Sequence, residues 1–506
     1  WAEVGPQAGV AQSRGVDLVR RASGAIVLVA EARGATSAFL LARFDPTGGL
    51  VEQAVLDPGG AGASVPTDLV DADGTLAVHG STRLVENESR WAWARLADIG
   101  APAGRSGTVA VASGPGPDSA ERVRMAAVGD GVAVVGLRFD ADAVHVARLD
   151  ADGRLDPVFS GDGRIAIPVA RASRAALAAR SDGSLVVAAS SSGTSTVATL
   201  GAFRADGTPV PGFGSAGIVA FTAGPTPARV HEVVAEPGGG ATVATVVDVG
   251  ASRRIAIHRR TASGAPDATF GGGTGVVQLA LGLLPNVLGL HRLADGRYLV
   301  IALVTAAADT RLAFVRLEAD GDPDLTFGGG TGVVQSALGD PQNADDGGSI
   351  GLADGRIVVV TTGTDGPAET GIVLRLTPDG APDATFGAVG LARVAIPDHT
   401  VRLDAVAVAP DGALVVGGLA FPSSGDVGAI AARLRPDGSL DGTFGSGGLH
   451  RTSQVGYESA HVAADGRILV ASAALQRMAV HRLLGELPGA LTAPPLEVGE
   501  TSALLR

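Results

Sequence analysis

The chain of 506 residues has no cysteine and, read through, no lysine, so all 39 of its basic residues are arginine. Without Cys there is no disulfide, thiolate metal site, iron–sulfur cluster or Cys nucleophile. Without Lys there is no Schiff base, no Walker-type phosphate loop and no kinase-type lysine. Aromatics are scarce as well, at 13 Phe, 3 Trp and 2 Tyr. Three Trp and two Tyr cannot furnish the stacking platforms that single-stranded nucleic acid needs. A formal charge of −13 repels a phosphate backbone. The longest uncharged stretches, 268–290 and 183–203, are broken by Gly, Pro, Gln or Ser/Thr runs. Neither supplies the roughly 20 mainly apolar residues of a membrane-spanning helix. The chain starts at Trp1 rather than Met, with no charged segment followed by an apolar one, so the expectation is either an export signal removed before Trp1 or a trimmed chain.

What is abundant is glycine, with 74 residues, beside a hydrophobic content of 46%. The apolar content is ample for a packed core. The glycines are not scattered. An apolar run, a turn ending in Gly and a second apolar run recur along the chain, as in Ser181-Asp182-Gly183-Ser184-Leu185, Ala353-Asp354-Gly355-Arg356-Ile357 and Pro410-Asp411-Gly412-Ala413-Leu414. The turn glycines fall at 24, 74, 131, 183, 239, 296, 355, 412 and 466, which are 50 to 59 residues apart. Asp-Gly between β-branched runs predicts a hairpin, and a two-residue turn places both of its residues at positive φ.

A second element follows each hairpin, an apolar strand ending in Arg43, Arg95, Arg148, Arg204, Arg259, Arg316, Arg375, Arg433 or Arg482. From the third unit to the eighth, another turn leads to Phe159, Phe213, Phe270, Phe327, Phe386 or Phe444, nearly always followed by Gly. Asp stands three residues before the Phe at 156, 267, 324, 383 and 441. A short apolar strand completes the unit. Four antiparallel strands per ~55 residues is the pattern of propeller blades. The fold class expected is all-β: a single β-propeller of four-stranded blades over residues 1–487, with nine repeats and eight blades as the alternative count. The ninth unit lacks its last strand, so residues 1–10 are expected to complete that blade and close the ring. Residues 488–506, carrying Pro488, Pro494 and Pro495, form a tail expected to pack on the propeller or on a partner.

The stretch Arg433-Leu434-Arg435-Pro436-Asp437-Gly438-Ser439-Leu440-Asp441-Gly442-Thr443-Phe444-Gly445 resembles the delta-60 repeat family of bacterial β-propellers. The resemblance covers roughly residues 15–485. It implies a propeller fold and an exported, extracellular, cell-surface or periplasmic location in a bacterium. The family's biochemical role is uncharacterised, so the resemblance transfers no catalytic residue.

The recurring Arg and Asp read as a charge-assisted tie between two strands of one blade, because an active site is one asymmetric constellation rather than nine equivalent ones. The Phe reads as a buried plug between blades. Two chemical spellings match out of context. Gly347-Gly348-Ser349-Ile350-Gly351 has the nucleophile-elbow form but no following helix. Gly212-Phe213-Gly214-Ser215-Ala216-Gly217 has a dinucleotide-loop form without a βαβ unit. His258 and His481 share one repeat position, which indicates packing rather than metal binding.

Function is then expected where units depart from the repeat. Trp91 and Trp93 share one face of a strand and are the candidate ligand-stacking pair, with burial as the alternative. Asp340, Asp345 and Asp346 crowd one loop and are the candidate site for a calcium-type ion, against a solvated acidic loop. No other cofactor is expected. The function expected is that of a non-enzymatic exported scaffold presenting loops to a protein partner or a surface glycan, possible also as a subunit of a larger assembly. The alternative is a propeller hydrolase or lyase acting on carbohydrate or lactone at the central channel.

Overall fold

The structure is a computed structural model. It describes residues 10–483 except 21–25, 35–36, 45–49, 57–63, 73–74, 86–87, 99–100, 103–107, 112–119, 130, 139–140, 151–154, 192–196, 225–227, 251, 283, 307–308, 337–346, 366–367, 423–426, 446, 453–456, 463–467 and 475–476, with side chains described between 123 and 470. The segments expected to close the ring and to form the tail, 1–9 and 488–506, lie outside the described residues. Among the described residues there is no helix, and none is long and apolar enough to cross a membrane.

Consecutive strands of each module pair antiparallel, in sheets built from four-stranded modules that follow the repeat, and an isolated bridge from Gly387 to Leu391 is parallel. The chain divides into two compact units between Ala110 and Val111. In the first unit, module 1 pairs Val10–Arg20, Ile26–Gly34, Ser37–Phe44 and Leu50–Leu56 in order. Module 2 pairs Ser64–Ala72, Thr75–Val85, Glu88–Asp98 and Ala101–Pro102.

The second unit holds the other seven repeats. Modules 3 and 4 share one seven-stranded sheet because the 16-residue strand Arg164–Ala179 serves both. Its first half pairs with Ala141–Leu149 and its second half with Leu185–Ser191. Arg171, at φ +50°, turns the strand between the two pairings. Modules 5, 6, 7 and 8 open with Ala228–Ala235, Leu284–Arg292, Gly348–Gly351 and His399–Val408. Module 9 joins Tyr457–Val462, Ile468–Ala474 and Arg477–Leu483 to Thr108–Val111 as its fourth strand, so the place that residues 1–10 were expected to fill is taken by that strand. The leading strand of each module neighbours the next from module 3 to module 9. Tyr457–Val462 of module 9 also neighbours Ala120–Val128 of module 3, where the Met125 N–H donates to Ser459 Oγ at 3.2 Å.

The strands form because their middles are runs of Val, Ile, Leu and Ala. Leu299–Val304 of module 6 and Ile357–Val360 of module 7 are buried throughout, as a strand covered on both faces requires. Apolar clusters run between modules; one joins Leu299, Ile301 and Phe327 to Ile357, Val359 and Leu374. Burying such side chains is worth roughly 1.5–3 kcal/mol each, and this face-to-face packing is the main force stacking the modules.

The hairpin turns are one residue longer than a two-residue Asp-Gly turn. In Arg180–Ser184, the Gly183 N–H donates to the Arg180 carbonyl at 2.9 Å and the Arg180 N–H to the Ser184 carbonyl at 2.8 Å. Gly183 is left-handed at φ +80°, whereas Asp182 is not among the residues at positive φ. The Asp182 carboxylate accepts the Ser184 N–H at 2.9 Å, and Asp354 and Asp411 do the same for Arg356 and Ala413. The aspartate is selected for this side-chain bond, and only the glycine for its φ.

Candidate functional site

The recurring polar residues account for most of the polar chemistry in the second unit. In module 7, Arg375 Nε donates to Asp383 Oδ2 at 2.7 Å and its Nη2 to Thr385 Oγ1 at 3.0 Å. Its Nη1 reaches the Pro436 carbonyl of module 8 at 2.5 Å, and the guanidinium lies 4.5 Å from the centre of the Phe386 ring. Asp383 Oδ1 accepts the Thr385 N–H and hydroxyl at 3.0 and 2.6 Å. The arrangement recurs at Arg316, Asp324, Thr326 and Phe327, with Nη1 donating to the Pro378 carbonyl at 2.9 Å. It recurs again at Arg259, Asp267, Thr269 and Phe270, where Nη1 bonds the Ala319 carbonyl. In module 3, Arg148 pairs with Asp156 at 2.8 Å and bonds the Ala205 carbonyl. Each of these arginines therefore ties the end of its strand to the turn that follows it, rather than to a second strand as expected, and also bonds the next module.

The Phe-Gly pair is the other half of this fastening. Phe159, Phe213, Phe270, Phe327 and Phe386 are fully buried. The residue after the Phe donates its N–H to a turn of the next module: Ser160 to Asp206, Gly214 to Ser263, Gly271 to Asp320 and Gly387 to Asp437, at 2.7–3.0 Å. The turn glycine of that next module sits over the ring. A Cβ on Gly321 would lie 2.8 Å from Phe270, and one on Gly380 2.8 Å from Phe327.

This setting fixes the charge of the aspartates. Burial pushes Asp324 up, but hydrogen bonds from Thr326 and the Arg316 guanidinium outweigh it and hold the carboxyl well below the usual carboxylate range. For Asp383 the hydrogen bond from Thr385 is the largest influence and lowers it; burial opposes, and Arg375 lowers it further. The Asp324 and Asp383 carboxylates are therefore held ionised at neutral pH.

The residues singled out as candidate sites fall elsewhere. Trp91 and Trp93 lie on Glu88–Asp98, two apart on one face, opposite Ser81 and His79. Their side chains are outside the described residues, and Asp340, Asp345 and Asp346 are wholly outside them. Among the described residues no group of three or more His, Asp or Glu could hold a metal ion. His258 is buried, with Nε2 3.1 Å from Thr245 Oγ1 and its ring 5.2 Å from that of Phe221. Burial and, second, the Arg260 charge lower it to about 4, so it is neutral at pH 7, in keeping with packing.

Two groupings on the leading strands depart from the repeat. Ser349, the serine of the elbow-like spelling, sits on a strand, not at a strand-to-helix turn. Its Oγ lies 2.8 Å from His291 Nε2 of module 6 and 3.2 Å from the Leu288 carbonyl oxygen. Gly289 makes room for the pair, since a Cβ there would overlap Ser349 Oγ. Burial lowers His291 to about 4. The second grouping joins three modules. Arg124 of module 3 faces Glu232 of module 5, Nε to Oε1, at 3.8 Å. Arg174 of module 4 places Nη1 3.3 and 3.5 Å from the ring nitrogens of His231. Neither grouping was visible in the sequence, because each unites residues of different modules 57 or more apart whose residue types do not recur from repeat to repeat.

Together the modules and their fastening define a β-propeller repeat protein. Residues 293–327, 352–386 and 409–444 match the family described as Domain of unknown function (DUF5122) beta-propeller. Each match begins at the hairpin turn and ends at the buried Phe, at 327, 386 and 444. Among solved structures, the chain is similar to a puromycin hydrolase, at 16% identity over 72% of this chain and 52% of that one, with a TM-score of 0.41. The match thus spans about half the length of the hydrolase. It is also similar to the Myceliophteria thermophila Cps50 (Swd1) β-propeller domain, at 11% identity over 74% and 99% of the two chains, TM-score 0.40. The β-propeller domain of the Pyrococcus furiosus Trilobed protease matches at 11% identity over 73% and 97%, TM-score 0.40. No curated protein matches the chain.

Proposed function

We propose that the chain is a non-enzymatic, exported scaffold whose rigid repeat frame carries a binding surface for a protein partner or a surface glycan. The observation that carries this reading is the fate of the recurring polar residues. Arg, Asp and Thr of modules 5, 6 and 7 bond one another, and each Arg bonds the neighbouring module, which leaves them committed to the frame. Specific recognition then falls to residues that depart from the repeat. Export and a place in the delta-60 group rest on the resemblance of the repeat wording, and the Phe-Gly fastening gives that wording a physical basis.

The seven modules of the second unit are proposed to close a ring among themselves, through the neighbouring leading strands of modules 9 and 3. The Met125–Ser459 bond supports this. Because the chain has no cysteine, a Met125→Cys/Ser459→Cys variant tests it directly: oxidation is expected to give one intramolecular disulfide. Failure of a folded variant to cross-link overturns ring closure.

The scaffold reading is tested by affinity capture from the native source beside a glycan screen. A stoichiometric protein partner or a tight glycan without turnover supports it; hydrolysis of the bound glycan defeats it. The hydrolase alternative rests on Ser349 and His291. Labelling by a fluorophosphonate that is lost in Ser349→Ala supports that alternative, and absence of labelling removes it.

A further inference from the structure

We infer that the seam between modules 4 and 5 holds a binding site for a small carboxylate anion, with the Arg260 guanidinium as its anchor and His258 as a second donor. This site is separate from the scaffold surface proposed above, which stands or falls without it. In modules 3, 4, 6, 7 and 8 the third strand ends on an apolar residue, Leu149, Phe203, Leu317, Leu376 or Leu434. Each pairs with the start of the second strand and bridges back to the turn that follows. Module 5 places Arg260 there, at the end of Ser252–Arg260, paired with Ala241 and bridged to Pro266. Two residues earlier those five modules carry Ala, Gly, Val or Leu, and module 5 carries His258. Side chains two apart on a strand share a face, and this face meets module 4. The Arg260 guanidinium lies 4.1 Å from the centre of the Phe221 ring, and the His258 ring 5.2 Å from it.

Both groups are buried and short of partners. Arg260 keeps 8% of its exposure and His258 2%, and Arg260 Nε and His258 Nδ1 are buried without a hydrogen-bond partner. Buried polar groups in folded proteins are nearly always hydrogen-bonded, so two orphaned nitrogens on one face mark a place for a ligand. Arg433 Nε is orphaned too, but its other nitrogens hold Asp411 and Asp441. Nothing comparable serves Arg260: no Asp or Glu among the described residues acts on it, and burial alone lowers it. Module 4 carries Ala202 and Val210 where module 7 carries Arg375 and Asp383, so the facing module brings no such carboxylate. The Phe221 face stabilises the cation in part, but it gives Nε–H no acceptor. An ordered water satisfies the hydrogen bond and leaves the charge unbalanced.

The frame arginines show which partner is missing. Arg259, Arg316 and Arg375 each donate Nε–H to a carboxylate oxygen, and a carboxylate matches the planar guanidinium fork. One guanidinium beside a neutral imidazole balances one negative charge, which favours a monoanion over phosphate or sulfate. A halide lacks the paired oxygens. The slight exposure of Arg260 admits only a small acid. The bound carboxylate selects the tautomer with the proton on His258 Nδ1, so that Nε2 accepts from the Thr245 hydroxyl at 3.1 Å.

Calorimetric titration of the full chain with sodium acetate, beside chloride and inorganic phosphate at matched ionic strength, tests the site. Acetate is expected to bind, with chloride and phosphate weaker by about tenfold or more. Arg260→Leu installs the residue of the other copies and is expected to weaken acetate by about tenfold or more. Because it removes a buried unpaired charge, it is also expected to raise the urea midpoint in acetate-free buffer. Acetate is expected to raise the midpoint of the parent chain but not that of Arg260→Leu. Arg260→Gln, polar without the charge, is expected to lose acetate binding to the same extent. A purely structural arginine predicts a lower midpoint for Arg260→Leu without acetate and no response to acetate in either chain, and that result overturns the inference. So do the absence of acetate binding up to about 10 mM, unchanged acetate affinity in either variant, and chloride or phosphate binding as tightly as acetate.

Discussion

Arg375 offers the sharpest test of the fastening between modules. Replacing it with Ala removes its bonds to Asp383, Thr385 and the Pro436 carbonyl together with the contact to Phe386. It also strands a carboxylate whose side chain keeps only 8% of its exposure. Breaking a buried ion pair on one side costs about 3–5 kcal/mol. Arg356 Nη1, at 3.3 Å from Asp383 Oδ2, stays behind and offsets part of that. The lost cation–π contact adds about 0.5–1 kcal/mol, and the carbonyl left without its donor about 1 kcal/mol. A destabilisation near 3–5 kcal/mol is therefore expected in urea unfolding monitored by circular dichroism. Arg356→Ala is the control: it reaches the same carboxylate from a side chain 34% exposed and is expected to cost less than about 1 kcal/mol. Adding Asp383→Asn to Arg375→Ala is expected to recover part of the loss, since no charge is then stranded. Equal costs for Arg375→Ala and Arg356→Ala would refute the view that the arginine at the strand end holds neighbouring modules together.

Further outcomes follow from the turns and the buried imidazoles. Val389 is 65% exposed at φ +53°, a conformation costing a β-branched residue roughly 1–2 kcal/mol, so Val389→Gly is expected to stabilise by about 0.5–1 kcal/mol in the same unfolding assay after glycine's own entropy cost. Gly321→Ala meets Phe270 and Val277 at 2.7–2.8 Å and is expected to cost roughly 2–4 kcal/mol, whereas Gly272→Ala, with open space around it, is expected to cost only the backbone strain of about 1–2 kcal/mol. His258, His291 and His450 are each lowered to about 4, burial being the first cause in all three. Their folded pKa lies below the unfolded value, so the unfolded chain binds more protons between about pH 6.5 and 4. Stability is full above about 6.5 and falls as pH drops through that window, by up to roughly 1.4 kcal/mol per pH unit per histidine. His258→Gln is expected to flatten the fall in urea midpoints measured between pH 7 and pH 5, and an unchanged slope would contradict a buried neutral imidazole.

How far the sequence alone reaches depends on the distance over which each feature acts. Asp182-Gly183 and its counterparts mark their hairpins because a turn is made by adjacent residues. The tie from Arg375 to Asp383 was readable because the same Arg and Asp stand eight residues apart in five of the copies. That Arg375 also bonds Pro436, or that Gly387 bonds Asp437, was not, since those partners belong to the next copy and the repeat spacing alone does not orient one module on another. Trp91, Trp93 and the aspartates at 340, 345 and 346 were chosen as local departures from the repeat, and local departure says nothing about which distant side chains gather around them.

Arg124 with Glu232 and His291 with Ser349 illustrate the opposite case. No residue of either grouping is unusual within its own strand, and each becomes a candidate only when leading strands from different modules converge. The sequence by itself determined the β repeat, the position of its turns and the ion pair inside the five copies that carry both Arg and Asp, because these follow from contacts a few residues apart. Tertiary structure decided how modules fasten to one another, where the chain divides into two units, and which charges of separate modules meet, because those contacts form only when buried apolar faces bring distant strands together.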